Sequence, residues 1–152
     1  MILGLVLHSL AAVIWVGGMF FAYMVLRKSA AELDPPARLR LWRGTLEVFF
    51  NWVFASILVL LVTGYWMLFF FFGGFGGAGV HIHIMHLTGL VMVALFLHLY
   101  FAPWKRMQRA VDLEDYPAAA TQLGQIRWIV MTNLILGLFT VAVGSSGRWW
   151  TG

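Results

Sequence analysis

The sequence contains no cysteine and few charged residues. Without cysteine, disulfide bonds, zinc–thiolate sites and thiol catalysis are excluded, and cysteine usage gives no information about the redox compartment. Only 11% of the 152 residues are charged, whereas about a quarter are charged in a typical soluble domain. The sequence also lacks a phosphate loop, a nucleophile elbow, a Ser-His-Asp arrangement and paired carboxylates within an apolar segment. Hydrolytic chemistry is therefore not indicated.

Hydrophobic residues are present in excess. They make up 62% of the chain, more than the interior of a small globular protein can hold. Four apolar segments have about the length that a membrane-spanning helix needs, and they cover residues 2–26, 46–72, 80–104 and 126–143. Because backbone polar groups must be hydrogen-bonded internally in lipid, each segment is expected to be helical. The sequence predicts an all-α integral membrane protein with a single domain over residues 1–152.

The distribution of basic residues predicts the topology. Five lie between the first two segments, three lie between the last two, and Arg127 follows, whereas only Arg148 lies on the other side. The positive-inside rule then places both charged loops in the cytoplasm and both termini outside, as in a bacterial inner-membrane protein. Short connections favour an antiparallel four-helix transmembrane bundle. The net charge of +4 is thus interpreted as a topology signal, and no nucleic-acid partner is expected.

Tryptophan residues near the ends of the segments are expected to lie in the two membrane interfaces. They are Trp149 and Trp150 at the outer interface and Trp42 and Trp104 at the inner one.

Two histidines are predicted to lie at the same depth in the membrane. His8 and His86 each lie about six residues into a segment that enters from the outside, which is roughly 9 Å along the helix. One histidine from each of two facing helices can hold a haem b, and saturating the iron with two histidines favours electron transfer. Trp15 would then pack near the ring and His83 would hydrogen-bond a propionate. There are two alternatives to haem binding: the two histidines bind another metal, or they form a structural hydrogen bond with each other in the interior.

The third segment opens with a second pattern, His81-x-His83-x-x-His86. Imidazole nitrogens bind copper or zinc, and the thioether of Met85 could add a soft ligand for cuprous ion. The alternative is that His81 and His83 are interfacial residues that contact water and lipid headgroups.

Further polar residues lie within the segments. His98, roughly 18 Å deeper than His86, is predicted to be a hydrogen-bonded interior residue, a proton-relay member or a lone metal ligand. Arg127 would pair with Glu47 or with a haem propionate, or, as the favoured alternative, reach lipid phosphate. Asn133 is expected to join two helices.

Several short motifs resemble the copper resistance protein D (CopD) family. They are His8, Trp15 and Gly17-Gly18 in the first segment, His86, Gly89 and His98 in the third, and Arg127, Asn133 and Gly137 in the fourth. This resemblance implies copper uptake or homeostasis. A weaker resemblance is to the HemJ-type haem-binding membrane proteins, which have a similarly placed first-helix histidine. That group tends to have a lysine where this sequence has His86, which argues against protoporphyrinogen oxidation.

The residues therefore support three functional hypotheses. The main prediction is a cytochrome b-like protein with one haem b, acting in one-electron transfer as a quinol- or small-oxidant-linked oxidoreductase. The alternative is a copper-binding protein for copper transport or resistance. The third is an assembly subunit without a cofactor. Besides lipid, a quinone or another redox partner and a homodimer are expected.

Overall fold

The computed structural model describes residues 1–149, apart from the side chain of Arg148, and consists of four long helices. They are α1 (Ile2–Ala30), α2 (Pro35–Phe71), α3 (Val80–Asp112) and α4 (Tyr116–Ser146). A short helical turn at Gly74–Gly77 lies between α2 and α3, and a 3-10 turn at Gly147–Trp149 follows α4. No strand occurs within residues 1–149. All four helices are long and apolar enough to cross a membrane, as predicted. Trp150, predicted for the outer interface, lies outside the described residues.

Two helices begin about three turns before the apolar segments do. Asp34 Oδ2 accepts a hydrogen bond from the backbone N–H of Ala37 at 3.3 Å, and Asp115 Oδ1 accepts one from Ala118 at 3.1 Å. Both aspartates are therefore N-caps, and each is followed within two residues by proline, which fits the first turn of a helix. The caps extend α2 and α4 beyond the hydrophobic segments into charged sequence.

Two helices contain a widened, π-helical turn. In α1 it covers Phe21–Leu26, and in α3 it covers Tyr100–Trp104 and includes Pro103. Proline has no N–H to donate within a helix, which accounts for the second widened turn. Nothing local in the sequence accounts for the first.

The contacts between α1 and α2 run in opposite order along the two helices. Near the start of α1, Gly4 faces the ring of Trp66 close to the end of α2, and further along, Gly18 faces the ring of Phe49. A Cβ on Gly18 would overlap that ring, so the two helices approach closely because this position is glycine.

Aromatic side chains fill the core between α2 and α3. Phe50 packs edge-to-face on Trp104 at a centroid distance of 5.2 Å, and Phe54 packs on Tyr100 at 4.8 Å. Phe96 contacts both phenylalanines, at 5.5 and 5.0 Å. These five residues are called the aromatic cluster, and it ties α2 to α3 by edge-to-face packing.

Two tryptophans predicted for the inner membrane interface lie in the protein interior instead. Trp42 is 4% exposed and Trp104 is 2% exposed, so both are buried between helices and do not face lipid as residues of an interfacial belt would. Because α2 begins at Pro35, Trp42 lies within its first turns and packs inside the bundle. The widened turn of α3 contains Trp104, which packs on Phe50.

Candidate functional site

Four of the five histidines lie at one end of the bundle, which is called the histidine end. It is formed by the start of α1, the end of α2, the start of α3 and the end of α4. The opposite end, called the charged end, carries the two charged connections. Arg40 donates a hydrogen bond to the hydroxyl of Tyr116 there at 2.9 Å, which joins α2 to α4.

His8 is held against α2 by a hydrogen bond. Its Nδ1 lies 2.9 Å from Thr63 Oγ1, and the Thr63 hydroxyl lies 2.6 Å from the carbonyl oxygen of Val59. Since the hydroxyl has a single proton and donates it to Val59, Nδ1 of His8 is the donor to Thr63. The Nε2 atom of His8 therefore keeps its lone pair. Gly64 provides the space, because a Cβ there would lie 3.3 Å from His8 Cε1.

His86 reaches α2 through a tyrosine. Its Nε2 lies 2.9 Å from the hydroxyl of Tyr65, and its ring packs edge-to-face on Phe75 at 5.2 Å. Phe75 also stacks on His83, with the centroids 6.3 Å apart and the planes inclined by 25°. His83 and His86 thus both contact one aromatic ring and are called the His83–His86 pair.

His81 and Met85 lie on the side of α3 that faces α4. A Cβ on Gly147 would overlap the His81 ring. A Cβ on Gly144 would lie 2.9 Å from Met85 Cε and 3.1 Å from its Sδ atom. The imidazole and the thioether, four residues apart on one helix face, are called the His81–Met85 pair.

The structure places His8 and His86 at similar depth but on different sides of α2. Their hydrogen-bond partners, Thr63 and Tyr65, are two residues apart and so project about 200° apart around the helix axis. In the part of the chain that the structure describes, no three His, Asp or Glu side chains are grouped as a metal site. The residues of the His81-x-His83-x-x-His86 pattern and Met85 therefore form two separate pairs, and His8 lies apart from both.

Two other predicted site residues lie away from these pairs. Trp15 is 3% exposed and packs edge-to-face on Phe96 of the aromatic cluster at 6.3 Å. His98 lies exposed on the surface of α3. The expectation that His98 is an interior residue is wrong, because it projects away from the side of α3 that carries Phe96.

Sequence reasoning missed the residues that hold the histidines. Thr63, Tyr65 and Phe75 were not candidates, although a threonine within an apolar segment is a usable signal. A polar side chain at the depth of His8 is the hydrogen-bonding partner that a buried imidazole requires.

Among the other polar residues, one predicted contact is confirmed and another is wrong. Asn133 Nδ2 donates to the carbonyl oxygen of Met92 at 3.1 Å and so joins α4 to α3. Glu47 pairs with Arg43 at 3.5 Å and not with Arg127. The guanidinium of Arg127 lies over the ring of Trp42 at 5.8 Å.

The helices define a multi-pass α-helical membrane protein with imidazole and thioether groups at one end. The family model for copper resistance protein D matches residues 43–146, and the chain belongs to the CopD family. No curated protein and no solved structure shows a significant match. The matched range begins within α2, so it does not include the first-segment motif with His8. The weaker kinship to HemJ-type proteins is not shown by these comparisons.

Proposed function

We propose that the protein handles copper and binds cuprous ion at the histidine end. The His81–Met85 pair carries the proposal: an imidazole and a thioether project from one face of α3 against Gly147, in the turn after α4, and Gly144 of α4. Soft thioether and imidazole ligands select copper over hard cations such as magnesium. Membership of the CopD family supports the same metal.

The composition of this end also favours a soft cation. The apolar segments of α1 and α3 carry no Asp or Glu, and the connection at residues 73–79 is uncharged. A site without carboxylates offers little to calcium or magnesium, whereas neutral nitrogen and sulfur ligands suit cuprous ion. The His83–His86 pair supplies a second set of imidazoles beside the first, as a transfer path between weak sites requires.

A titration of purified protein with cuprous ion against a chromophoric chelator tests the proposal. His81→Ala and Met85→Leu should each weaken binding at least about 100-fold, more than the loss of a supporting contact does. His98→Ala and Met24→Leu are matched controls, since both side chains are exposed on other surfaces, and they should bind as the parent does. Equal binding by all four variants would overturn the proposal.

The arrangement in the membrane is part of the proposal. We infer that the helices alternate in direction, with both termini and the histidine end outside a bacterial inner membrane. The opposite order of contacts along α1 and α2 and the basic charged end support this arrangement.

The absence of cysteine allows a direct test of sidedness. Gly76→Cys, at a position where a Cβ meets nothing, should react with an impermeant maleimide in intact cells. Leu113→Cys, 80% exposed at the charged end, should react only after the cells are permeabilised. The reverse pattern would refute the proposed orientation.

Haem b is the second candidate, and one observation favours it. His8 donates through Nδ1 and keeps a lone pair on Nε2, which is the tautomer of a histidine that ligates a metal through Nε2. A haem ligated by His8 would make the protein a redox component with a quinone or another redox partner. His86 lies on the other side of α2 and is not placed to be the second ligand. An oxidised-minus-reduced visible spectrum decides between the two candidates. A six-coordinate b-type spectrum lost in His8→Ala supports haem, and its absence from protein expressed with haem precursor excludes it.

A further inference from the structure

Three arginines from three different helices converge at the charged end. Arg27 lies at the end of α1, Arg38 in the first turn of α2 and Arg127 in α4. Arg27 and Arg127 line one cavity between the helices, and the positive charges of Arg27 and Arg38 both act on Arg127.

No described carboxylate compensates this cluster. The ion pairs within residues 1–149 join Arg43 to Glu47 and to Asp112, and none reaches the three arginines. Two of the guanidinium groups lie over aromatic rings: Arg27 over Tyr23 at 5.0 Å and Arg127 over Trp42 at 5.8 Å. These contacts hold the cations in place but supply no negative charge.

Two buried donors point to what the cluster lacks. Trp42 is 4% exposed, and its Nε1–H has no acceptor among the described residues. Nε of Arg127 is also buried and without an acceptor. Both residues line a cavity of about 20 Å³, enough for one oxygen atom but not for a whole ligand. A buried N–H without an acceptor is costly, so both donors would be stabilised by an acceptor oxygen.

We infer that this cluster binds the phosphate group of an anionic phospholipid. One phosphate oxygen accepts from Trp42 and Arg127, which requires these two side chains to turn toward the headgroup. Arg27 and Arg38 neutralise the rest of the headgroup. Arginine suits phosphate because its planar fork of donors matches the phosphate oxygens. Basic pockets between transmembrane helices, at the depth of the headgroups, are where such lipids bind. The site is independent of copper and lies at the opposite end of the bundle.

Binding of phosphatidylglycerol to delipidated protein in detergent, counted by native mass spectrometry, tests the inference. Arg127→Gln and Arg38→Gln should each weaken binding about tenfold, because each removes one charge-assisted contact. Trp42→Phe keeps the ring but loses the Nε1–H donor, and it should weaken binding about threefold to tenfold. Arg109→Gln makes the same change in charge at an exposed position outside the cluster and should bind as the parent does.

Further measurements separate the possible sources of the anion. Phosphatidylcholine, whose headgroup carries no net charge, should bind at least about tenfold more weakly than phosphatidylglycerol. Equal protection from unfolding by inorganic phosphate and by phosphatidylglycerol would overturn the lipid assignment in favour of a free anion. Equal losses in Arg109→Gln and Arg127→Gln would overturn the site itself, and so would no loss in any variant. Size-exclusion profiles and cuprous ion binding should be unchanged in Arg38→Gln, which excludes misfolding as the cause.

Discussion

The histidine end and the charged end satisfy their polar groups in different ways. At the histidine end, neutral side chains hydrogen-bond to one another across helices. Besides the His8–Thr63 and Tyr65–His86 contacts, the hydroxyl of Thr140 donates to that of Thr88 at 2.7 Å. At the charged end, no carboxylate among residues 1–149 forms an ion pair with the three arginines, and two buried donors have no acceptor among the same residues.

The difference shows what each end is suited to bind. Neutral nitrogen, oxygen and sulfur groups can satisfy one another between helices and exchange those contacts for a soft metal ion. Guanidinium groups cannot satisfy one another, because all of them are donors and all are cations. The histidine end is therefore suited to a cation and the charged end to an anion. The aromatic cluster packs between α2 and α3, in the part of the bundle between these two ends.

The largest expected effect concerns the aromatic cluster. Phe50 is 2% exposed, and Phe50→Ala should lower the free energy of unfolding by about 3 kcal/mol, because it leaves a cavity against Phe96 and Trp104. Phe70→Ala is the control, since this side chain is 75% exposed at the end of α2, and it should cost well under 1 kcal/mol. Denaturant titration in detergent measures both. Equal losses of unfolding free energy in the two variants would mean that the aromatic cluster does not tie α2 to α3.

The next effect tests the histidine end without touching a proposed ligand. Gly144→Ala puts a methyl group 2.9 Å from Met85 Cε and 3.1 Å from its Sδ atom, which is too close, so the thioether must shift. We expect cuprous ion affinity to fall about tenfold, or roughly 1.4 kcal/mol. Gly124→Ala, on the same helix with nothing near its Cβ, is the matched control in the same chelator competition. Unchanged affinity in Gly144→Ala would argue against Met85 as a ligand.

A smaller effect is expected at the hydrogen bond that holds His8. Thr63→Val keeps the shape of the side chain and removes the oxygen that accepts from His8, and should lower the free energy of unfolding by about 1 kcal/mol. Thr132→Val is the control, because the Thr132 hydroxyl bonds only the carbonyl oxygen of Trp128 in its own helix. Thermal unfolding of both variants in detergent provides the comparison. Similar losses would mean that the contact between the helices adds nothing to stability.

The smallest effect is expected for an ion pair at the charged end. Arg43 lies 2.9 Å from Asp112, but the Asp112 side chain is 59% exposed, so water and salt screen the attraction. A double-mutant cycle with Arg43→Gln and Asp112→Asn should give a coupling of about 0.5 kcal/mol or less, and it should shrink at high salt. A coupling above about 1.5 kcal/mol would show that the pair, and not the aromatic cluster, ties α2 to α3.

Much of the fold could be predicted from the sequence because lipid imposes a simple rule. A segment of about 20 apolar residues must satisfy its backbone internally, so the four spans follow from composition and length. The starts of α2 at Pro35 and of α4 at Tyr116 could also have been predicted, because an N-capping aspartate and a nearby proline are the usual sequence signals for a helix start. The widened turn at Phe21–Leu26 could not have been predicted, because it contains no proline or other residue that indicates a break in the regular α-helix.

Less of the candidate site could be predicted from the sequence. The residues His81, His83, Met85 and His86 were identified as a cluster from their spacing. Their division into two pairs depends on which neighbouring helix each side chain meets. The burial of Trp42 also depends on neighbouring helices. Its position just before an apolar segment predicts an interfacial residue, but α2 already begins at Pro35 and Trp42 packs inside the bundle.

The amino-acid sequence by itself determined that this chain crosses a membrane as helices, which residues could bind a metal, and at which end the basic residues gather. These properties depend on hydrophobicity, side-chain chemistry and position along the chain. Only the tertiary structure decided that Thr63 and Tyr65 hold the histidines, that His98 lies on the surface, and that Arg27 and Arg127 line one cavity. Such contacts join residues far apart in the chain, and they depend on how the helices are rotated against one another, which no local pattern specifies.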